Sequence, residues 1–310
     1  MQDLILSSSI HAPSHQAISA CIGYFDGFHL GHQALFNKTL MLAKANNELS
    51  GIISFSPDPL KVLNPKASIE HLTSLEDRKD LAEKYGFDRW ITIEFNQEMS
   101  EMDPQKFITL LQKLNIKHLV CGFDFRFGDK GKGDINTLLA ASNANFHVEI
   151  VDEIEYENEK ISTSRIKECI KAGEVQLAER LLGRTYGLKG IVVKGRQIGR
   201  KIGYPTANLY IKEEYLIPKI GVYSGFVLID NLQYSSMIGV GYNPTVTDEH
   251  KVSIEAHIFD YSHDIYDKEV TFLFKHYIRS EIKFDSLESL MGQLKLDEIA
   301  CRKKNSLDLE

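Results

Sequence analysis

The stretch 21–33 limits the folds open to this chain more than any other part of the sequence. It reads CIGYFDGFHLGHQ and begins inside a small, apolar run, Ile18–Ile22, that is typical of a buried parallel strand. Gly23 and Gly27 allow a tight reversal and a close approach of the backbone to a ligand. A helix is predicted from about residue 31 to about residue 45. A strand, a glycine turn and a helix in this order indicate a parallel sheet covered by helices.

Two histidines at the start of this helix indicate a phosphate site. His29 and His32 are three residues apart, so both side chains can lie on one face of the first turn. Free backbone N–H groups and the positive end of the helix dipole attract anions there. Imidazole N–H groups add contacts to a phosphoryl group that gains charge in a transition state. A purely structural corner with two exposed histidines is the alternative, but the three flanking glycines favour the nucleotide interpretation.

The composition is that of an ordinary globular chain with room for two domains. The chain has 310 residues, of which 43% are hydrophobic and 25% charged. A net charge of −7 argues against general affinity for nucleic acid or for an anionic membrane. No apolar run approaches the roughly 20 residues of a membrane helix, and residues 1–16 do not resemble a signal peptide. We therefore expect a cytoplasmic protein, a monomer or weak homo-oligomer, that binds neither nucleic acid nor membrane.

The cysteines are predicted to be reduced thiols. The chain contains Cys21, Cys121, Cys169 and Cys301, which are scattered and form no Cys-x-x-Cys pair. This spacing argues against a disulfide framework and against a zinc site.

Strand-like and helix-like segments alternate from Ile18 to about Ile154, which predicts a parallel sheet with helices on both faces. The later strands are predicted at 51–55, 90–95, 118–123 and 146–151. One further helix is predicted over 74–85, with a capping box of Thr73 and Glu76 and with Gly86 at its end. Another is predicted to begin at Asp103-Pro104 and to reach about residue 114.

Ligands in such folds bind beyond the carboxyl ends of the strands, where three loops are expected to meet. These loops are 25–32, 55–59 and 122–128. In the third, Asp124 and Arg126 alternate with aromatic residues, so that Arg126 can pair with a phosphate and the rings can flank a flat ligand. A strand end followed by a mobile loop is the alternative.

The segment 162–167, which reads STSRIK, precedes a helix predicted to end near residue 173. Hydroxyl groups at a helix start, followed by basic residues, form a second anion-binding helix end. Ordinary helix capping explains the same residues.

The character of the sequence changes near Gly183, and we place the domains at 1–183 and 184–310. Short alternating runs separated by Gly, Asn or Asp predict an antiparallel barrel or sandwich in the second domain. The strands are predicted at 190–194, 222–229, 235–240, 251–260 and 270–277. A last helix is predicted over 287–299. Its expected packing face consists of Leu287, Leu290, Met291 and Leu294.

A basic, glycine-rich loop predicts a second nucleotide site. Its glycines, which allow the loop to fold over a polyphosphate, are Gly195, Gly199 and Gly203. Its cations are Arg196, Arg200 and Lys201. Thr206 and Asn208 point the same way on an extended strand, and oxygen ligands of this kind suit magnesium bound to ATP. The loop is not a P-loop, since no Gly-Lys-Ser/Thr follows at the right spacing; a basic surface loop is the alternative.

Glu255 is the candidate base of a kinase reaction. The opposite face of its predicted strand carries Ile254, Ala256 and Ile258, so Glu255 points away from the apolar face. A kinase that phosphorylates a hydroxyl group gains from a base near the nucleophile.

Several of these motifs resemble one family. The segment 25–32 resembles the His-x-Gly-His signature of nucleotidylyltransferases and, with Gln33, its version in bacterial bifunctional riboflavin kinase/FAD synthetases. The segments 55–59 and 122–128 resemble the family's Phe-x-Pro-x-Pro and (Asn/Asp)-Phe-Arg-Phe-Gly segments. Residues 162–167 resemble its Ser-Ser-Thr-x-x-Arg motif, with Thr and Ser exchanged and Lys167 in place of Arg. Lysine cannot make the bidentate phosphate contact of arginine, and Arg165 can share that role.

The second half carries the family's riboflavin kinase motifs. The run Gly195–Asn208, which ends in Pro-Thr-Ala-Asn, closely resembles the riboflavin kinase signature. Glu255, which follows the segment Asn243–Thr245, resembles the family's catalytic glutamate. The resemblance covers nearly the whole chain in the family's motif order.

The resemblance implies roles for individual residues. The residues implied as catalytic are Glu255, His29 and His32. Those implied to bind ATP or phosphate in the first half are Gly23, Phe25, Asp26, Gly31, Asp124, Ser162, Thr163, Arg165 and Lys167. Those in the second half are Gly195, Arg200, Gly203, Pro205, Thr206 and Asn208. Flavin contacts are implied for Pro57, Pro59 and Arg279, and contacts to the metal for Thr206 and Asn208.

The resemblance implies an α/β N-terminal domain, Rossmann-like and of the nucleotidylyltransferase type, followed by an antiparallel β-barrel riboflavin kinase domain with a terminal helix. The implied reactions are Mg²⁺- and ATP-dependent phosphorylation of riboflavin to FMN and adenylylation of FMN to FAD, with flavins as substrates or products. One alternative is an adenylyltransferase for another acceptor with a non-catalytic second domain. The other is a flavin-binding protein without turnover, which would need neither phosphate loop.

Overall fold

The computed structural model describes residues 1–6, 16–195, 198–242 and 252–308. Contacts within the chain separate it into two units, Met1–Thr163 and Ser164–Glu310. The boundary between residues 183 and 184 stays a prediction.

The first unit contains, over its described residues, a sheet of six parallel strands. These are β1 (Gln2–Leu6), β2 (Ile18–Ile22), β3 (Leu49–Ser56), β4 (Arg89–Glu94), β5 (Ile116–Gly122) and β6 (His147–Val151). Their order is β1-β4-β3-β2-β5-β6, and every pairing is parallel. The chain order reverses at β2, so the carboxyl ends of β2 and β5 form the switch point at which ligands bind in such sheets. The parallel sheet is confirmed, and β1 is an additional edge strand that sequence reasoning missed.

Helices cover both faces of this sheet, as predicted. They are α1 (Leu30–Asn46), α2 (Pro59–Leu63), α3 (Leu75–Tyr85), α4 (Gln97–Ser100), α5 (Pro104–Lys113) and α6 (Ile135–Ala140). A small hairpin follows, β7 (Glu155–Tyr156) with β8 (Glu159–Lys160). On β2, Ala20 faces the core layer of α5 while Cys21 faces the layer of α1 and α3. The strand is apolar throughout because both of its faces are buried.

The capping box of α3 lies one residue later than predicted. Ser74 is the N-cap: its Oγ accepts from Asp77 N at 3.0 Å, and Asp77 Oδ2 accepts from Ser74 N at 2.9 Å. The predicted Thr73–Glu76 box is wrong, because Thr73 is used elsewhere: its Oγ1 accepts from Gly27 N at 2.8 Å. The helix ends at Gly86 as predicted, where φ is +87°.

The second unit is built on a closed antiparallel barrel. Its strands are β9 (Tyr186–Val193), β10 (Ala207–Tyr210), β11 (Gly221–Ile229), β12 (Leu232–Tyr242), β13 (Val252–Ile258) and β14 (Glu269–Arg279). Their order around the barrel is β10-β13-β12-β11-β14-β9. The helices of this part of the chain are α7 (Thr163–Ala172), α8 (Val175–Leu182), α9 (Ile198–Lys201) and α10 (Leu287–Leu307). Because α8 packs against β9 and β14, it belongs with the barrel.

The terminal helix α10 packs along the predicted side, but chiefly through residues beyond the four predicted ones. Leu287 and Met291 are 55% and 40% exposed. The buried residues of the helix are Asp297, Cys301 and Asn305. Polar residues can occupy this face because they find partners; Asn305 Nδ2 donates to Gly225 O at 2.9 Å and to Ser235 Oγ at 2.8 Å. Leu294 does pack as predicted, against the cluster that contains Cys301.

The four cysteines are free and buried, which confirms the prediction of unpaired thiols. Burial raises the pKa of Cys21, Cys121 and Cys301 to about 12, so these thiols carry almost no thiolate at neutral pH. Every helix in the described part of the chain is too short or too polar to cross a lipid bilayer.

Candidate active sites

A cavity of about 240 Å³, here called the sheet cavity, opens at the carboxyl ends of β2 and β5. It brings together three predicted segments: the loop and helix start after β2, the loop after β5, and the start of α7. The predicted residues that line it are Gly23, Phe25, His29, Gly31, His32, Asp124, Ser162 and Thr163. Sequence reasoning therefore located this cavity at the sheet's switch point.

His29 and His32 form a stacked pair at the N-terminus of α1, with ring centroids 3.6 Å apart. His29 is the N-cap, and its Nδ1 accepts from His32 N at 3.3 Å. Because Nδ1 accepts a hydrogen bond, the proton of the neutral His29 ring is on Nε2. A Cβ at Gly31 would lie 3.1 Å from the His29 ring, so glycine allows the ring to fold back over the helix start.

His32 is held neutral by its surroundings. Burial of its ring, and then the neighbouring His29, lower its pKa well below the usual 6.5. Nδ1 of His32 is buried and has no hydrogen-bond partner among the described residues. A neutral imidazole can donate one N–H to a phosphate oxygen without adding a charge to the cavity.

Asp26 does not line the sheet cavity. Its carboxylate is 4% exposed, and Oδ1 accepts from Leu72 N at 2.9 Å, Thr73 N at 3.0 Å and Thr73 Oγ1 at 3.1 Å. Its backbone carbonyl accepts from Thr163 Oγ1 at 3.2 Å. Asp26 thus ties the His-containing loop to the segment before α3 and to the start of α7.

Lys160 is a cation of the sheet cavity that sequence reasoning missed. It lines the cavity, pairs with Asp124 Oδ2 at 2.6 Å and lies 4.5 Å from the centre of the Phe123 ring. A single lysine in a short hairpin gives no signal in the sequence. Arg126, by contrast, lies outside the cavity lining, and its Nη1 is 3.8 Å from Oδ2 of Asp134.

Besides Asp26, four predicted residues of the first site lie outside the sheet cavity lining. Arg165 and Lys167 are half-buried on α7, beyond the cavity-lining Thr163. Pro57 follows a cis peptide bond, and Pro59 is the first residue of α2. Their assigned roles stay predictions.

A second cavity, of about 650 Å³, lies on the barrel and is called the barrel cavity here. The predicted residues that line it are Gly195, Thr206, Asn208, Glu255 and Arg279. Asn208 on β10 is the register partner of Glu255 on β13. The pairing of these two strands also brings Thr206 into contact with Glu255, although the two residues are 49 positions apart in the sequence.

Glu255 is the centre of a hydrogen-bonded group in this cavity. Its Oε2 accepts from Thr206 Oγ1 at 2.9 Å, and its Oε1 accepts from Ser253 Oγ at 3.0 Å. Ile254 and Ala256, on the opposite face of β13, are buried, which confirms the predicted direction of Glu255. Ser253 was missed, although it lies two residues from Glu255 on the same strand face.

The glycine-rich loop approaches β10 closely. A Cβ at Gly195 would collide with the side-chain amide of Asn208, so a larger residue there would displace that amide. Arg200 and Pro205 line an adjoining cavity of about 390 Å³, called the side cavity, which shares Thr206 with the barrel cavity. Gly203 has a φ of +85° and lines neither cavity.

Part of the predicted second site lies outside the described residues. Arg196, the side chain of Lys201 and the segment 243–251 fall there. Within the described ranges, no three His, Cys, Asp or Glu side chains form a group that could hold a metal ion.

Comparisons with known proteins assign both halves of the chain. Residues 11–165 match the family model described as FAD synthetase, and residues 182–305 match the model described as riboflavin kinase. The chain is 38% identical to the bifunctional riboflavin kinase/FMN adenylyltransferase of Listeria monocytogenes, over 89% of each chain. It is 30% identical to the protein of the same name from Escherichia coli, over 96% of each chain.

The fold also matches a solved structure over nearly its whole length. The crystal structure of a macrolide-efflux protein from Streptococcus pneumoniae superimposes with a TM-score of 0.89 at 32% identity. The match covers 97% of this chain and 98% of that one.

Proposed function

The chain belongs to the family of bifunctional riboflavin kinases/FMN adenylyltransferases, and we propose that each of its two sites carries one of the two reactions. Riboflavin is phosphorylated to FMN at the barrel, and FMN is adenylylated to FAD in the sheet cavity. The observation that supports this division is that each cavity collects its predicted residues from one unit only. The matches of both family models favour this function over a lone adenylyltransferase and over a non-catalytic flavin-binding protein.

In the kinase reaction, the ribityl 5′-hydroxyl oxygen attacks the γ-phosphorus of ATP. The bond from that phosphorus to the β–γ bridging oxygen breaks, and ADP leaves. The hydroxyl proton passes to the Glu255 carboxylate, which Thr206 and Ser253 hold in place with hydrogen bonds. ATP occupies the side cavity beside Arg200 and Pro205, and riboflavin the barrel cavity, so that transfer takes place at Thr206, which lines both.

Magnesium enters with ATP in this proposal, and the residues present fit it. Thr206 donates its only hydroxyl proton to Glu255, so the lone pairs of its oxygen remain for a cation. Asn208, which lines the same cavity, supplies an amide oxygen, and Mg²⁺ prefers hard oxygen ligands of both kinds. When bound, the ion neutralises charge that develops on the transferred phosphoryl group.

In the adenylyl reaction, an FMN phosphate oxygen attacks the α-phosphorus of a second ATP, the α–β bond breaks, and pyrophosphate leaves. The nucleophile is already an anion, so no strong base is needed. The site has to align the reactants and stabilise charge. His29, His32 and the N-termini of α1 and α7 supply N–H groups for this purpose, and Lys160 adds a positive charge.

We also propose that the enzyme acts in the cytoplasm as a monomer or weak homo-oligomer, on small molecules and not on nucleic acid or membranes. Four buried free thiols and a net charge of −7 support this setting.

Chromatography of the products formed from riboflavin, ATP and Mg²⁺ tests the division of labour. We expect the wild-type chain to form FMN and then FAD. The double variant His29→Ala/His32→Ala should stop at FMN, with FAD formation reduced about 100-fold or more because two N–H donors are lost. Glu255→Gln should form little FMN from riboflavin, about 100-fold less, and should still convert supplied FMN to FAD.

His147→Ala is the matched control for the histidine variants, since this exposed residue lies on β6 outside both cavities. It should make FAD at the wild-type rate. Unchanged FAD formation by the double histidine variant would show that the first site is misplaced.

A further inference from the structure

Asp297 is an almost fully buried carboxylate on α10, with 2% of its side chain exposed. Its Oδ1 accepts from Arg279 Nε at 2.9 Å and from Gln293 Nε2 at 2.9 Å. Its Oδ2 accepts from Arg279 Nη2 at 2.6 Å and from Nε at 3.1 Å. Both oxygens are therefore paired, as a buried carboxylate requires.

Stability alone does not account for such a pair. Replacing a buried ion pair by apolar side chains of similar volume is often neutral or stabilising, because desolvation offsets the attraction of the charges. The pair also sits where α10 meets the barrel cavity, which Leu290, Leu294 and Arg279 all line. Its position points to a role in the geometry of that cavity.

The pairing with Asp297 leaves part of the Arg279 guanidinium available. Arg279 is the last residue of β14, and its side chain is 18% exposed. The guanidinium has five N–H groups. The Nε–H and one N–H of Nη2 donate to Asp297, and one N–H of Nη1 donates to Ser280 O at 2.8 Å. One N–H on each terminal nitrogen has no acceptor among the described residues.

A fixed guanidinium is a better recognition group than a mobile one. An arginine side chain that is ordered only on binding loses rotamer freedom at that moment, which weakens affinity. The two-pronged contact to Asp297 orders Arg279 before any ligand arrives. The remaining N–H groups suit an oxygen acceptor, such as a carbonyl of the flavin ring or a hydroxyl of its side chain.

Other residues of α10 fix the helix that carries Asp297. Asn305 Nδ2 donates to the carbonyls of Gly225 at 2.9 Å and Ser236 at 3.2 Å. Arg302 pairs with Asp260, two residues after β13, at 2.6 Å. Because these contacts reach β11, β12 and the turn after β13, Asp297 is held in a fixed position against the barrel wall.

We infer that Asp297 is a positioning residue of the kinase reaction, which acts by fixing Arg279 for contact with riboflavin. This inference rests on the proposed placement of riboflavin in the barrel cavity. It makes the terminal helix a part of the kinase site.

The test is steady-state phosphorylation of riboflavin by the full chain carrying Asp297→Asn. The variant should raise the riboflavin KM roughly 10- to 100-fold, the loss expected for a charge-assisted contact, with a smaller change in kcat and none in the KM for ATP. Conversion of supplied FMN to FAD by the same preparation should be normal, and the unchanged KM for ATP in the kinase reaction shows that the barrel is folded. Asp230→Asn is the matched control: it removes the exposed carboxylate partner of Lys268, which lies outside the barrel cavity and away from α10, and should leave riboflavin kinetics unchanged.

A double-mutant cycle with Arg279→Gln separates positioning from general support. If Asp297 acts through Arg279, the double variant Arg279→Gln/Asp297→Asn should have the riboflavin KM of Arg279→Gln alone. An unchanged KM in Asp297→Asn, or additive effects in the double variant, overturns the inference.

Should Asp297→Asn fail to fold, Asp297→Glu decides, because it keeps the negative charge and Arg279 but shifts the carboxylate that orients the guanidinium by one methylene. A raised riboflavin KM with normal FAD formation supports the inference, and a normal KM overturns it. Failure of the proposed function would look different from failure of this inference. In that case the wild-type chain would form no FMN, or Glu255→Gln would form FMN at the wild-type rate.

Discussion

Single side chains in the sheet cavity take their chemistry from the fold. His32 would titrate near pH 6.5 in a solvent-exposed peptide. In the folded chain, burial and the stacked His29 lower its pKa well below that value. The folded protein therefore keeps His32 neutral over a pH range in which the unfolded chain binds a proton there.

This difference predicts a pH dependence of stability. Because the folded-state pKa is the lower one, stability is lost as the pH falls through the unfolded pKa of about 6.5. Between about pH 7.5 and about pH 5.5, His32 should cost the wild type about 1.4 kcal/mol of unfolding free energy. Urea unfolding at both pH values measures it: His32→Gln should lack this contribution, whereas His147→Gln should keep it. Equal pH dependence in wild type and His32→Gln would contradict the assignment.

Among the elements, α10 contains a glycine that lowers the stability of the helix. Its N-terminus has a capping box of Ser286 and Ser289, and it continues to Leu307. Gly292 lies in its first half, and a Cβ there would meet no atom within 4 Å. Gly86 has equally open surroundings but a φ of +87°. The two glycines therefore differ in backbone conformation and not in available space.

Alanine at the two positions should have opposite effects. Gly292→Ala should stabilise the chain by about 0.5–1 kcal/mol, because alanine loses less backbone entropy in a helix. Gly86→Ala should destabilise it by about 1 kcal/mol, because alanine is strained at positive φ. Calorimetric unfolding of each full-length variant measures the sign. Destabilisation by Gly292→Ala would mean that this turn of α10 is not helical in solution.

Element positions followed from the sequence wherever the signal is local. Apolar runs located β2 to β6, and Asp103-Pro104 located the start of α5. β1 was missed because most of its residues are exposed and because its partner strand β4 is far away in the sequence. The capping box of α3 was misplaced because Thr73 and Ser74 are equally good caps, and the choice depends on the tertiary contact of Thr73 with Asp26.

The residues of the two sites were likewise predictable where a local motif marks them and not where only folding brings them together. Motifs located His29, His32 and Glu255, whereas Lys160 and Ser253 reach their cavities through folding alone. The buried part of α10 beyond Leu294 was missed because it contains Asp297 and Asn305, and the periodicity of apolar residues cannot reveal partners such as Arg279 for Asp297.

At the scale of the whole molecule, the thiols report on global folding. Both units contain buried cysteines: Cys21 and Cys121 in the first, Cys169 and Cys301 in the second. Burial raises the pKa of each of the four thiols. Neither accessibility nor thiolate content favours reaction in the folded chain.

We expect the native chain to react only slowly with a thiol reagent such as a dithiobis-nitrobenzoate, and to release four equivalents when unfolded in guanidinium. Absorbance of the released thiolate measures both. The variant Cys169→Ala identifies the contribution of the thiol on α7. A rapid phase in the native protein that this variant does not remove would contradict burial of the other three.

The polar inner face of α10 restricts the helix to one docking position on the barrel. An apolar face can slide by one turn and still exclude water. Here a slide would separate Asn305 from the acceptors of Gly225 and Ser235, and Asp297 from Arg279, leaving buried groups unpaired. In a barrel with slipped strands, these acceptors and Arg279 would no longer line up with Asn305 and Asp297. We therefore expect α10 to pack stably only when the strands have formed in the correct register.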